Sequence, residues 1–127
     1  MRILITGSRH WTDRTALASA MSRALTYLGS YIGANHSAVL VHGGAKGADA
    51  VAADIADNWG WTVEEHPADW DADGRRAGPL RNQRMVDAGA DIVLACPMPG
   101  SKGTWDCMKR AVEAGIPVYI VNTRERT

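Results

Sequence analysis

Short apolar runs and longer amphipathic stretches alternate along the chain. Ile3-Leu4-Ile5 is a branched apolar run that ends at Thr6-Gly7, and it reads as a buried parallel strand. Thr12 and Asp13 then supply N-cap chemistry. Leu17, Met21, Leu25 and Leu28 recur at helical spacing, which predicts an amphipathic helix over about residues 13–30. Gly29, Gly33 and Asn35 predict a loop, and Ala38–Val41 a second strand. Val51, Ala52, Ile55, Ala56 and Trp59 mark one face of a second helix, which Gly60 ends. Trp61–Glu65 is a third strand, placed near the sheet edge because it carries charge. His66–Leu80 is polar and rich in Gly and Pro. It predicts a loop of about 15 residues, a length that points to function in a compact domain. A short helix over about Pro79–Ala88, closed by Gly89, leads to a fourth strand at Ile92–Ala95. Trp105, Met108, Ala111 and Val112 give a last helix its apolar face, Gly115 follows it, and Val118–Val121 is the fifth strand. The tail from Asn122 to Thr127 is expected to fray.

This alternation predicts one domain over residues 1–127. Its fold class is α/β, a Rossmann-like three-layer α/β/α sandwich with a five-stranded parallel sheet and right-handed crossovers. Ligands of such sheets sit beyond the carboxyl ends of the strands, where strand order reverses. Gly7, Gly43-Gly44 and the stretch Pro97–Gly103 all fall at those ends, so three loops converge on one crevice.

The loops carry the candidate chemistry. In Thr6-Gly7-Ser8-Arg9 the glycine permits a sharp exit from the first strand, and Ser8 and Arg9 can meet an anion, although an ordinary strand-to-helix turn would read the same way. Gly43-Gly44-Ala45-Lys46-Gly47-Ala48-Asp49 precedes a helix and can cradle an anion on backbone N–H groups. It is neither a P-loop, because no Gly-Lys-Ser/Thr follows, nor a dinucleotide fingerprint in register. Asp49 is placed either to cap that helix or to hold a ribose hydroxyl. Gly100-Ser101-Lys102-Gly103-Thr104 offers backbone N–H groups and two hydroxyls at the start of the last helix, with Thr104 at or near its N-cap. Arg81 and Arg84, three apart, share a helix face and can clamp phosphate or carboxylate. Asp106, in the first turn of the last helix, either complements the helix dipole or does acid/base work. Trp11, beside Gly7-Ser8-Arg9-His10, packs in the core or stacks on a base.

Composition narrows the reading. Lys plus Arg equals Asp plus Glu at 14 each, so no global field draws the chain to nucleic acid or membrane. No apolar run is long enough to cross a bilayer. The start of the chain enters a strand directly without a signal-peptide plan. Cys96 and Cys107 read as reduced thiols of a cytoplasmic protein, and no His, Cys or carboxylate set has metal-ligand spacing. No metal and no cofactor are expected.

Five ordered motifs then carry a resemblance: Gly7-Ser8-Arg9, Val41–Asp49, His66-Pro67-Ala68-Asp69-Trp70, Gly78–Met85 and Gly103-Thr104-Trp105-Asp106. Together they resemble the YspA-like family of the SLOG superfamily, which includes the DNA-processing protein DprA and the LOG phosphoribohydrolases. The likeness runs from about residue 2 to 121. It implies a Rossmann-like fold that binds a nucleotide or nucleotide-derived small molecule. By motif, the binding residues are Gly7, Ser8, Arg9, Gly43, Gly44, Asp49, Arg81, Asn82, Gly103 and Thr104. It also implies a homo-oligomer.

The first functional reading is a nucleotide binder, a sensor or modifier in nucleotide signalling. The second is a LOG-like hydrolase of the N-glycosidic bond, with Asp106 and Arg84 as catalytic residues. The glutamate of the LOG motif falls on Cys107, however, and Asp106 lies one residue earlier, a rotation of about 100° on a helix. The third is DprA-like binding of single-stranded nucleic acid. Zero net charge and the lack of a basic, aromatic-lined surface argue against nucleic acid as a partner.

Overall fold

The computed structural model describes residues 1–32 and 37–123. Five strands, β1 (Arg2–Gly7), β2 (Val39–His42), β3 (Thr62–Glu65), β4 (Ile92–Cys96) and β5 (Val118–Ile120), form one parallel sheet in the order β3-β2-β1-β4-β5. The helices are α1 (Arg14–Ile32), α2 (Ala48–Asn58), α3 (Trp70–Asp73), α4 (Ala77–Ala88) and α5 (Lys102–Glu113). This is the expected five-stranded parallel sheet flanked by helices, and β3 is an edge strand as its charge implied. The chain runs outward from β1 through β2 to β3 and then crosses to β4 on the other side of β1, so strand order reverses between β1 and β4. That reversal opens the crevice.

Alternation along the central strand builds two cores. Ile3 and Ile5 pack with Leu40, Ile92 and Leu94 beneath Leu17, Met21 and Ile55 of α1 and α2. Leu4 points the other way, with Val41 and Val93, against Met85, Val86, Cys107 and Ala111 of α4 and α5. Each layer therefore buries one face of β1. Trp11 belongs to the first core at 2% exposure, and its indole N–H donates to the Asp13 carbonyl. The structure thus selects packing over base stacking for this ring.

Helix boundaries follow local chemistry. Asp13 caps α1, its Oδ1 accepting the Ala16 N–H at 3.0 Å. Gly60, Gly89 and Gly115 stand just after α2, α4 and α5 at φ of 76°, 91° and 78°, the left-handed stop that only glycine adopts without strain. Gly29, expected in a loop, lies inside α1, while the other residues of that loop, 33–36, and the tail 124–127 lie outside the described residues. The polar stretch His66–Leu80 is not an irregular loop. It contains α3, a 3-10 turn at Gly74–Arg76 and the start of α4. Asp69 Oδ1 caps α3 by accepting the Ala72 N–H, and Pro79 falls in the first turn of α4, where a missing N–H costs no helical bond.

Candidate functional site

The residues after β1, β2 and β4, joined by Trp70 at the start of α3 and by Arg81, Asn82 and Met85 along α4, enclose a cleft of ≈ 420 Å³ at the carboxyl ends of the strands. Of the residues singled out by sequence, Gly7, Ser8, Arg9, Asp49, Arg81, Asn82, Gly103 and Thr104 line it. Gly43, Gly44, Arg84 and Asp106 do not. Ser101, whose hydroxyl the sequence had placed at the start of the last helix, also lines it, as do His10, Trp70 and Lys102, whose side chains were given no role from the sequence.

Glycines bring these loops together. A Cβ on Gly7 would meet Cβ of Ala48 and Cβ of Cys96, so only glycine lets α2 start against the ends of β1 and β4. Gly47, at φ 74°, does the same for the Ser8 carbonyl. The Ala48 N–H can then donate to Ser8 O at 3.1 Å, and the Ser8 N–H to Cys96 O at 2.9 Å.

The loop after β2 does not act as the anion cradle its glycines suggested. Asp49 Oδ2 accepts the backbone N–H of Gly43 at 3.0 Å and of Ala45 at 3.3 Å. The Gly44 N–H donates to His42 Nδ1 at 2.9 Å. The donors that would hold a phosphate are already taken, two of them by the protein's own carboxylate. Asp49 also leaves the N-cap of α2 to Gly47, which makes no side-chain bond to the helix. Its second oxygen, Oδ1, is buried and has no hydrogen-bond partner among the described residues. Burial pushes the Asp49 carboxyl above the ordinary carboxylate range, against the lowering effect of the Ala45 and Gly43 N–H groups, His42 and Arg81.

At α5 the situation is reversed. Ser101 is the N-cap residue, yet it makes no capping bond, because its Oγ accepts the Met98 N–H at 3.0 Å. The Lys102 N–H turns back to Gly100 O and the Trp105 N–H to Ser101 O. The N–H groups of Gly103 and Thr104 have no partner among the described residues. They sit at the positive end of the helix dipole on the wall of the cleft. Exposed Arg9 and Lys102 add charge beside them.

Arg81 and Asn82 are fixed by bonds within the protein. Arg81 donates through Nη1 to Gly43 O at 2.5 Å and through Nε to Asn82 Oδ1 at 3.0 Å. Asn82, at 3% exposure, donates through Nδ2 to Gly103 O at 3.2 Å and to Asp106 Oδ2 at 3.0 Å. Its amide is spent on holding α4 against the start of α5 rather than on a ribose. Asp106 Oδ2 also accepts Arg110 Nε at 2.9 Å, and Arg110 Nη1 donates to Gln83 Oε1 at 2.8 Å. Burial raises the Asp106 carboxyl, but these bonds from Arg110 and Asn82 outweigh it and hold the group below the ordinary range. A carboxylate tied in this way, off the cleft wall, is not placed for acid/base work. Arg84 is exposed one turn beyond Arg81, so the expected arginine pair does not form and Arg81 lines the cleft without it.

Among the described residues no group of His, Cys, Asp or Glu could hold a metal ion, and no helix is long and apolar enough to cross a membrane.

Residues 1–72 match the profile described as YAcAr, the YspA, cpYpsA-related SLOG family. The Gene 61 protein of Mycobacterium phage D29 is 48% identical over 126 residues, 92% of this chain and 93% of that protein. Among solved structures, DNA processing protein A (DprA) from Streptococcus pneumoniae matches 94% of this chain with a TM-score of 0.66 and 19% identity. The chain spans 49% of that protein's length, and at this identity the likeness concerns the fold. It still corrects one expectation. Balanced charge argued against nucleic acid as a partner, but the same fold serves a DNA processing protein. Net charge sums the whole surface, whereas this cleft gathers Arg9, Arg81 and Lys102 locally.

Proposed function

We propose, from the premise that the chain belongs to the YAcAr family of YspA- and cpYpsA-related SLOG proteins, that its cleft binds a nucleotide through the phosphate. One observation carries this reading. The uncapped start of α5 and Asp49, whose buried Oδ1 has no hydrogen-bond partner among the described residues, line the same cleft. The first is a donor site for an anion, and the second is an acceptor that needs a donor such as a sugar hydroxyl. A phosphate on the N–H groups of Gly103 and Thr104, with Arg9 and Lys102 nearby, and a ribose hydroxyl on Asp49 satisfy both. The volume of ≈ 420 Å³ falls within the roughly 300–1,000 Å³ of small-molecule sites.

Binding, as in a sensor or modifier of a nucleotide signal, is favoured over hydrolysis because Asp106 is engaged by Arg110 and Asn82. The test is incubation of the purified protein with nucleoside monophosphates, NAD, ADP-ribose and cyclic nucleotides, with mass spectrometry of the retained and free fractions. A retained, intact nucleotide supports the reading. Release of free base converts it to an N-glycosidic hydrolase, and retention of none of them overturns it.

A second reading, favoured by the fold match to a DNA processing protein, is that the nucleotide unit belongs to a nucleic acid strand. Binding of a single-stranded oligonucleotide that weakens steeply with salt supports that form of the ligand.

A further inference from the structure

Trp70 is left unexplained by phosphate binding. Its side chain lines the cleft, yet 60% of its surface is exposed, which forgoes the apolar burial that holds Trp11 in the core. The backbone of its helix is nonetheless well fixed. Asp69 caps α3, the Asp73 N–H donates to Asp69 O at 2.9 Å, and the Gly74 N–H returns to Trp70 O. The indole lies beside Gly78 of α4. A Cβ there would stand 3.4 Å from Cη2 of Trp70, at ordinary contact distance.

Charge orders the cleft. Asp69, Asp71 and Asp73 stand around Trp70, whereas Arg9, Lys102 and the free N–H groups of α5 belong to other segments. Arg75 and Arg76 follow in the 3-10 turn, and neither they nor the three aspartates line the cleft. An anionic group is therefore drawn to α5, and the neighbourhood of Trp70 suits a flat, uncharged ring.

We propose that the exposed indole of Trp70 is a stacking platform for the nucleobase of the bound nucleotide. This rests on the phosphate reading above, and it sets the ligand's direction: phosphate at Gly103, sugar at Asp49, base at Trp70. Phosphate would then supply anchorage common to all nucleotides, and Trp70 the preference for a nucleotide over a bare sugar phosphate.

Calorimetric titrations of the four ribonucleoside 5′-monophosphates and of ribose 5-phosphate test this, with the unaltered protein, Trp70→Leu and Trp70→Phe. At least one monophosphate should bind the unaltered protein about 5- to 150-fold more tightly than ribose 5-phosphate, the range for a base on an aromatic ring. Trp70→Leu should erase that advantage and leave ribose 5-phosphate affinity unchanged, and Trp70→Phe should restore part of it. Tryptophan emission should be quenched by the monophosphate, and the quenching lost in Trp70→Leu. Equal affinity of the unaltered protein for nucleotide and sugar phosphate overturns the stacking proposal alone. An equal loss of both ligands in Trp70→Leu does the same, because it makes the ring a structural element. No binding of any probe by the unaltered protein overturns the phosphate reading and this proposal with it.

Discussion

Asp49 Oδ2 accepts the backbone N–H of Gly43 at 3.0 Å, so the glycine turn after β2 closes on a carboxylate of its own chain. A sequence that looks like a receptor for an anion has its anion built in, and in the proposed complex the other oxygen of the same carboxylate is the one left for the ligand.

Asp49→Asn should expose this arrangement through pH. Burial raises the Asp49 carboxyl above 3.8, so the folded state binds its proton more tightly than the unfolded chain. The stability this provides is full below the unfolded value and is lost as pH rises through the raised folded value. Asparagine has no such dependence. In urea titrations from pH 4 to 8, the variant should gain on the unaltered protein as pH rises and then level off. Nucleotide affinity should fall about 5- to 150-fold, because an amide N–H₂ replaces the acceptor, a loss of about 1–3 kcal/mol. Calorimetry at pH 8 measures that loss.

Asp106→Ala should weaken the protein without being a chemical knockout. Its carboxyl is held below 3.8, so its stabilisation is present at neutral pH and is lost as pH falls through that lowered value. With the side chain 30% exposed, a cost of about 1 kcal/mol at pH 7 is expected, shrinking toward pH 3. Urea midpoints at the two pH values read it out. A cost that stays constant would place the loss in packing instead.

Two glycine variants should behave oppositely. At Gly103 an added Cβ meets nothing within 4 Å, and the residue lies in the first turn of α5. Gly103→Asp should therefore fold normally and place a carboxylate where the phosphate would sit, with more than tenfold loss of nucleotide affinity. Gly44 stands at φ 76°, and an added Cβ would lie 2.9 Å from Glu65 Oε1. Gly44→Asp should cost about 1–2 kcal/mol from backbone strain, before any effect on a ligand. Thermal melts alongside calorimetry separate the two.

Cys96 and Cys107 should resist thiol reagents in the folded protein. Burial pushes the first thiol up to about 12 and the second to about 11, so neither has appreciable thiolate at pH 8. Labelling with a chromogenic disulfide should proceed only in denaturant. Prompt reaction under native conditions would mean that the cores between the sheet and its helices open locally.

What the sequence made legible was what neighbours along the chain decide. The branched runs gave the strands, Asp13 gave the start of α1, and Gly60, Gly89 and Gly115 gave the helix ends. The helices between His66 and Leu80 were hidden because Gly74, Gly78 and Pro79 argue for a loop, although Asp69 followed by Ala72 already had the spacing of a cap. In the site, the loops at the strand ends were located correctly, but the state of their donors was not. That Asp49 would reach back to Gly43, and that Asn82 would cross from α4 to Asp106, depends on the packing of separate elements. The pair of Asp106 with Arg110, at i and i+4, was within reach of spacing alone. The tryptophans were undecided for the same reason: only the tertiary fold decides that Trp11 is enclosed and Trp70 is left outside.

The bonds that run from Arg110 through Asp106, Asn82 and Arg81 to Gly43 are complete before any ligand arrives. In the proposed complex the guanidinium and the start of α5 would need no rearrangement to receive a phosphate, because their ordering is accomplished during folding. Association would then lose little side-chain entropy, and its speed would be governed by diffusion and by the stripping of water from the cleft mouth. The cleft of this protein is preorganised by bonds that tie its α4 and α5 walls to each other and to the turn after β2.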